Sequence, residues 1–188
     1  MRAIHGFRGD SCRHRQLGQS LVELAILTPL LALLLMGSFD ASIMISDKVT
    51  SGSAVRQGAR LAAELGGSQT NPGVSTTAID MQIVHNVLAM AAGMSSATVQ
   101  EIDIYAPTSP DGSYQPGADP VDQYLISPAG SVTTGVQTFP ITNRRQTPPN
   151  ETSVGVRLVW KYSPPGGIFP RNMILSDYSV MKAAPILG

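Results

Sequence analysis

From Leu21 to Phe39 the chain holds nineteen residues in which Glu23 is the only strongly polar side chain. As an α-helix this run is about 28 Å long at about 1.5 Å per residue, close to the roughly 30 Å hydrocarbon thickness of a bilayer. A segment of that length and polarity can span a membrane, which constrains the chain more than any other feature. A charge inside a bilayer costs about 2 to 3 kcal/mol at the centre and less near an interface, so an intramembrane carboxylate needs a partner and marks a functional position.

Residues 1–18 place Arg2, Arg8, Arg13 and Arg15 against Asp10, a net charge of +3. With a formal total of zero, the remaining chain carries −3. Basic residues ahead of an apolar run hold the N-terminus in the cytoplasm and send the downstream chain across. Ordinary secretory signals end in small residues at an A-x-A-like cleavage site. Here the run exits through Met36-Gly37-Ser38-Phe39-Asp40-Ala41, a poor fit, and the one cysteine, Cys12, lies ahead of it. Cleavage after Gly18 would instead make Gln19 the N-terminus, its ammonium one helical turn from Glu23. Two groups that are costly singly in lipid become tolerable together. The competing account is that Glu23 begins a helix, favoured by the macrodipole and snorkelling to water.

The junction Gly18-Gln19-Ser20-Leu21-Val22-Glu23 resembles the class III signal of type IV pilins and pseudopilins. Continued through Leu24-Ala25-Ile26-Leu27-Thr28-Pro29-Leu30-Leu31, it is similar to the start of TadE-like proteins, minor pseudopilins of the tight-adherence (Flp) pilus system. Ala54-Val55-Arg56-Gln57-Gly58-Ala59-Arg60-Leu61-Ala62-Ala63 is similar to a second block of that family, usually reading like A-A-R-x-G-A-R, and supplies Arg56, Gly58, Ala59 and Arg60. The resemblance implies cleavage by a prepilin peptidase between Gly18 and Gln19. It implies that Glu23 pairs with the N-terminal amine of a neighbouring subunit. The implied partners are that peptidase, other pilins and pseudopilins, the inner-membrane assembly platform and the lipid bilayer. The implied location is a single-pass inner-membrane protein with its C-terminal domain in the periplasm or outside, or in a pilus. Glu23-Leu24 departs from the Glu-Phe of many members and the Glu-Tyr of major Flp pilins. That departure, and a length well beyond the very short major pilins, argue against a major pilin.

Pro29 cannot donate to the carbonyl of Ala25, so it kinks or loosens the membrane helix, unless a neighbouring hydroxyl such as that of Thr28 satisfies the freed group. Gly37 and Ala41 have the small-xxx-small spacing that permits close helix contact. No proline interrupts Asp40 to Leu65, where apolar residues recur at helical spacing; Ser51-Gly52-Ser53 weakens the middle and Gly66-Gly67 supplies a stop. Arg56, Arg60 and Glu64 share an exposed face of this helix. As a basic patch it is far too small for nucleic acid.

Beyond the helix, Thr77 to Met90 is amphipathic, opened by Ser75-Thr76-Thr77 and closed near Gly93. Thr98 to Tyr105 alternates as a strand, with Ile102 and Ile104 opposed to Val99, Glu101, Asp103 and Tyr105. Residues 106–150, rich in Pro, Gly, Ser and Thr, form a long loop with room for short strands at Gln123–Ile126 and Gly135–Phe139. Ser153 to Tyr162 is the clearest strand, with Val154, Val156, Leu158 and Trp160 on one face and Arg157 and Lys161 on the other. Leu175 to Ala183 returns antiparallel. The expected class is α+β: a leader at 1–18, a transmembrane helix at 19–39, a helical stalk at 40–65, and one extracytoplasmic domain at 66–188 in which a helix covers a small antiparallel sheet.

Catalytic patterns do not emerge. His85 stands without a Cys or His cluster, and Glu101 with Asp103 alone make no acid/base site. Asp111, Asp119 and Asp122 lie in a Gly/Pro-rich loop but match no calcium-loop spacing, and Asn150-Glu151-Thr152 is a bare glycosylation pattern. The expectation is a protein that is not an enzyme and needs no cofactor or metal. Two function classes fit: a TadE-like assembly subunit, or a membrane-anchored extracytoplasmic binding domain or enzyme on an uncleaved signal anchor.

Overall fold

The computed structural model describes residues 10–65, 67 and 73–184, with side chains from residue 19 onward. Arg2 and Arg8 of the leader, and Gly66 of the expected helix stop, lie outside the described residues. Helix α1 runs Asp10–Leu65 and α2 Thr76–Ala91. The strands are β1 Ala97–Tyr105, β2 Val121–Ile126, β3 Val132–Gln137, β4 Ser153–Tyr162 and β5 Met173–Lys182, with a 3-10 turn at Ile141–Asn143. The strands form one antiparallel sheet in the order β3-β2-β1-β4-β5. The class is α+β, in agreement with the sequence.

The span Gln19–Leu65 of α1 holds 47 residues and is about 70 Å long. It passes uninterrupted through Pro29 and through Ser51-Gly52-Ser53. At these serines the hydroxyls do not compete with the backbone ladder, because Ser53 donates within the helix to Val49 O at 2.9 Å and Ser51 turns its hydroxyl to Asp177. Side chains from Gln19 to Met36 are all exposed. From Asp40 on, one stripe is buried: Asp40, Asp47, Ser51, Ala54, Val55, Ala59 and Ala62, spaced as a helix face. Residues 40–65, expected as a stalk, therefore give the domain one of its two covering helices.

The second cover, α2, is opened by Ser75, whose side chain accepts from Ala78 N at 3.2 Å. Its buried stripe of Ile79, Ile83, Val84, Val87 and Ala91 meets Ile102 and Ile104 of β1 and Val154, Val156, Leu158 and Trp160 of β4 in one core. A bulge between Val99 and Glu101 sets the faces of β1. Val99 pairs with Trp160 and packs against the core, while Glu101 pairs with Val159, so the expected grouping of Val99 with Glu101 fails by one inserted residue. Within 106–150 the chain forms the β2–β3 hairpin, closed by Ser127 N donating to Ser131 O at 2.9 Å.

Gly58 is where α1 comes closest to α2 and the sheet. A Cβ there would lie inside the radius of Val87 Cγ2 and 3.3 Å from Val156 Cγ1. We predict that Gly58→Val lowers the unfolding free energy of the detergent-solubilised chain by about 1–3 kcal/mol, measured by thermal melting, since overpacking forces the helices apart. Gly52→Ala, with nothing within 4 Å of the added methyl, should leave the melting temperature unchanged or raise it.

Candidate functional site on the long helix

Near its apolar start, α1 presents Glu23 on an exposed surface. Its carboxylate accepts from the side-chain amide of Gln19 at 3.2 Å. That donor is neutral, so it satisfies a lone pair without supplying a countercharge. Below Pro29, the Thr28 hydroxyl donates to Leu24 O at 2.7 Å. The sequence suggested Thr28 as a donor to the carbonyl freed by proline, that of Ala25. The bond instead goes one residue earlier, the ordinary i−4 geometry of a helical threonine. Gly37, read as a candidate helix-contact position, faces the chain's own β4–β5 loop: a Cβ on it would lie 3.9 Å from Ile168 Cγ2.

At the end of the apolar run, polar side chains lock the helix into the domain. Asp40 is fully buried and accepts from Gly166 N at 2.7 Å and Ile168 N at 3.1 Å, while its backbone carbonyl accepts from the Tyr162 hydroxyl at 2.9 Å. Two turns on, Asp47 accepts from Ser95 N at 2.8 Å and Ser96 N at 3.0 Å, holding the turn from α2 into β1. One turn further, the Ser51 hydroxyl donates to Asp177 of β5. Asp177 also accepts from Trp160 Nε1 at 3.1 Å and pairs with Lys48 at 2.5 Å. The sequence reading gave neither Asp40 nor Asp47 a role of its own. The available signal was two carboxylates seven residues apart on the face that continues as Ala54, Ala59 and Ala62.

The second block divides between two faces. Gly58 and Ala59 are buried against the core, whereas Arg56 and Arg60 are exposed, Arg60 pairing with Glu64 at 2.9 Å. Four residues of one short motif thus serve helix packing on one side and leave two guanidinium groups facing out on the other.

Two ionic clusters lie away from this helix. Arg144, fully buried, donates to Asp80 of α2 at 2.5 and 2.9 Å, to Asp122 of β2 at 3.0 Å and to Phe139 O at 3.0 Å, and Tyr124 donates to Asp80 at 3.0 Å. It ties α2 to the hairpin. On the outer face of the sheet, Arg157 pairs with buried Asp103 at 2.7 Å and with Glu101 at 3.5 Å, beneath the 106–120 segment, whose Tyr114 ring stacks on Arg157. Asp111 accepts from Ser109 and Ser113 and Asp119 from Thr108 and Gln115, while Asp122, expected in the same loop, lies in β2 and accepts from Phe139 N, so the three carboxylates serve three separate structural tasks. Among the described residues no His, Cys, Asp and Glu group is arranged to hold a metal. His85 is exposed on α2.

Burial, then the neighbouring Glu101, pushes Asp103 up from 3.8 to about 7 against the pull of Arg157. Burial likewise lifts Asp122 from 3.8 to about 6. In that window the folded chain holds protons that the unfolded chain has released, so the stability these two carboxyls contribute is fullest below about pH 4 and is lost as pH rises through 6 and 7. We predict a higher melting temperature at pH 5 than at pH 8, and a shallower slope in Asp103→Asn, where the side chain is neutral throughout.

A family model described as TadE-like protein matches residues 18–60, the stretch holding the Gly18–Gln19 junction, Glu23, Pro29, the helix lock and the Arg56–Arg60 block. No curated protein and no solved structure matches the chain. The match makes residues 18–60 similar to TadE-like proteins, and among the described residues one N-terminal apolar helix is long enough to fit a single membrane pass.

Proposed function

We propose that this TadE-like chain is a minor pseudopilin, cut by a prepilin peptidase between Gly18 and Gln19 and taking part in assembly of a Tad/Flp type IV pilus. The observation that carries the proposal is the TadE-like match over an apolar run, residues 21–39, whose one carboxylate, Glu23, accepts among the described residues from the neutral Gln19 amide. Removal of the leader would create an ammonium on Gln19, beside its own Glu23 and available to the Glu23 of an adjoining subunit. That pairing neutralises a charge which lipid penalises. The domains follow the same division: leader 1–18, membrane helix 19–39, and residues 40–188 on the periplasmic or outer side. The partners are the peptidase, other pilins and pseudopilins, the inner-membrane platform and the bilayer. The leader's charge excess supports that orientation, and the pilus context supports adhesion as the wider role.

Mass spectrometry of the membrane-fraction protein should find Gln19 as the N-terminus. A chain retaining Met1, or cut beyond Met36, would instead favour a signal anchor carrying an extracytoplasmic binding domain or enzyme.

Glu23→Ala should insert into the membrane as well as the parent or better, yet abolish pilus display, with processing and protein level unchanged. A carboxylate serving only the helix start would cost at most about 1 kcal/mol of local stability when removed. Normal piliation in that strain would remove the pairing role.

A further inference from the structure

We infer that the loop between β4 and β5, residues 163–172, is a second membrane-contact element that lays the domain against the bilayer surface, with Ile168 and Phe169 in the interfacial layer of the leaflet on the domain's side. The inference rests on residues 19–39 spanning the membrane. Depth is fixed by contact: Ile168 lies against Gly37, two residues inside the end of the apolar run at Phe39, which is about 3 Å along the axis toward the hydrocarbon. The loop cannot lift away, because the Asp40 carboxylate holds both Gly166 N and Ile168 N. Only glycine fits at 166, where a Cβ would sit 2.7 Å from Asp40 Oδ1.

Composition agrees with the depth. From Ser163 to Pro170 the loop has no charged side chain, and Ile168 is 44% exposed beside a run whose last residue, Phe39, is 59% exposed. These apolar surfaces continue the wall that the membrane already covers. The first charge, exposed Arg171, suits the phosphate level above. Asp40 takes its hydrogen bonds from backbone N–H groups, so it needs no water at the boundary. An irregular loop cannot enter the hydrocarbon with its backbone unpaired, so contact stops at side chains in the interface.

The test uses the full chain with Cys12→Ser as background and a single cysteine at 168, 169, 30 or 125, each labelled with an environment-sensitive fluorophore. The chains are reconstituted in phosphatidylethanolamine/phosphatidylglycerol vesicles with iodide on both sides. Labels at 168 and 169 should be several-fold less quenched by iodide than the label at Leu125, an exposed β2 position, and should be quenched by brominated lipid, unchanged as protein is diluted in lipid. Iodide quenching at 168 and 169 equal to that at 125, with position 30 lipid-buried, overturns the loop contact alone. Protection that disappears on dilution assigns the patch to a second copy and also overturns it. A water-exposed label at position 30 overturns the membrane span and this inference together.

Discussion

The seating of one helix against Asp40 and Asp47 governs the geometry of the whole molecule. A long helix that leaves a membrane can rotate and slide relative to whatever it carries unless something fixes its azimuth and its height. Two buried carboxylates, seven residues apart on one face, fix both: each is held by two backbone N–H groups, those of Asp40 from the β4–β5 loop and those of Asp47 from the α2–β1 turn. Losing its donors would leave either buried carboxylate short of partners, at about 1–3 kcal/mol or more. The Ser51 and Lys48 contacts to Asp177 add a third point on β5.

This seating gives α1 two solvents along its length. Its first part is bare on every side, its second part buried on one stripe and wet on the other. The TadE-like segment spans both regimes. Its sequence requirements accordingly change character, from unbroken apolarity with one carboxylate to an alternation of small packing residues and exposed arginines. A motif of small residues with interspersed arginines is what a helix needs when its back lies within van der Waals distance of Val87 and Val156.

Elements whose burial follows strict periodicity are legible in the sequence. Strand β4 has the expected bounds, and its Val154, Val156, Leu158 and Trp160 face the core, because period-two alternation leaves no second choice. Helix α2 and strand β5 follow for similar reasons. The β2–β3 hairpin begins two to three residues earlier than its sequence suggests, because its strands are short and β3 is mostly exposed, which erases the pattern. The bulge in β1 is invisible, since one inserted residue reads as continued alternation. Arg144 escapes sequence reasoning because its partners Asp80 and Asp122 come from distant segments. A clue exists in Asp80, a carboxylate standing between Ile79 and Ile83 on the apolar stripe of α2. The helix lock escapes for the opposite reason: aspartates beside a membrane run look like ordinary solvated boundary residues.

The core is closed by the last turns of α1 and the end of the described chain. Residue 54 packs in the same cluster as residue 160, β5 lies along α1, and Ala184 N donates to Ala63 O at 2.9 Å. Such long sequence separation makes closure slow, because loop entropy must be overcome before these contacts form. A single long helix makes its hydrogen bonds locally, so it supplies one ready wall of that core, and the strands assemble onto a surface whose own mobility has already been spent.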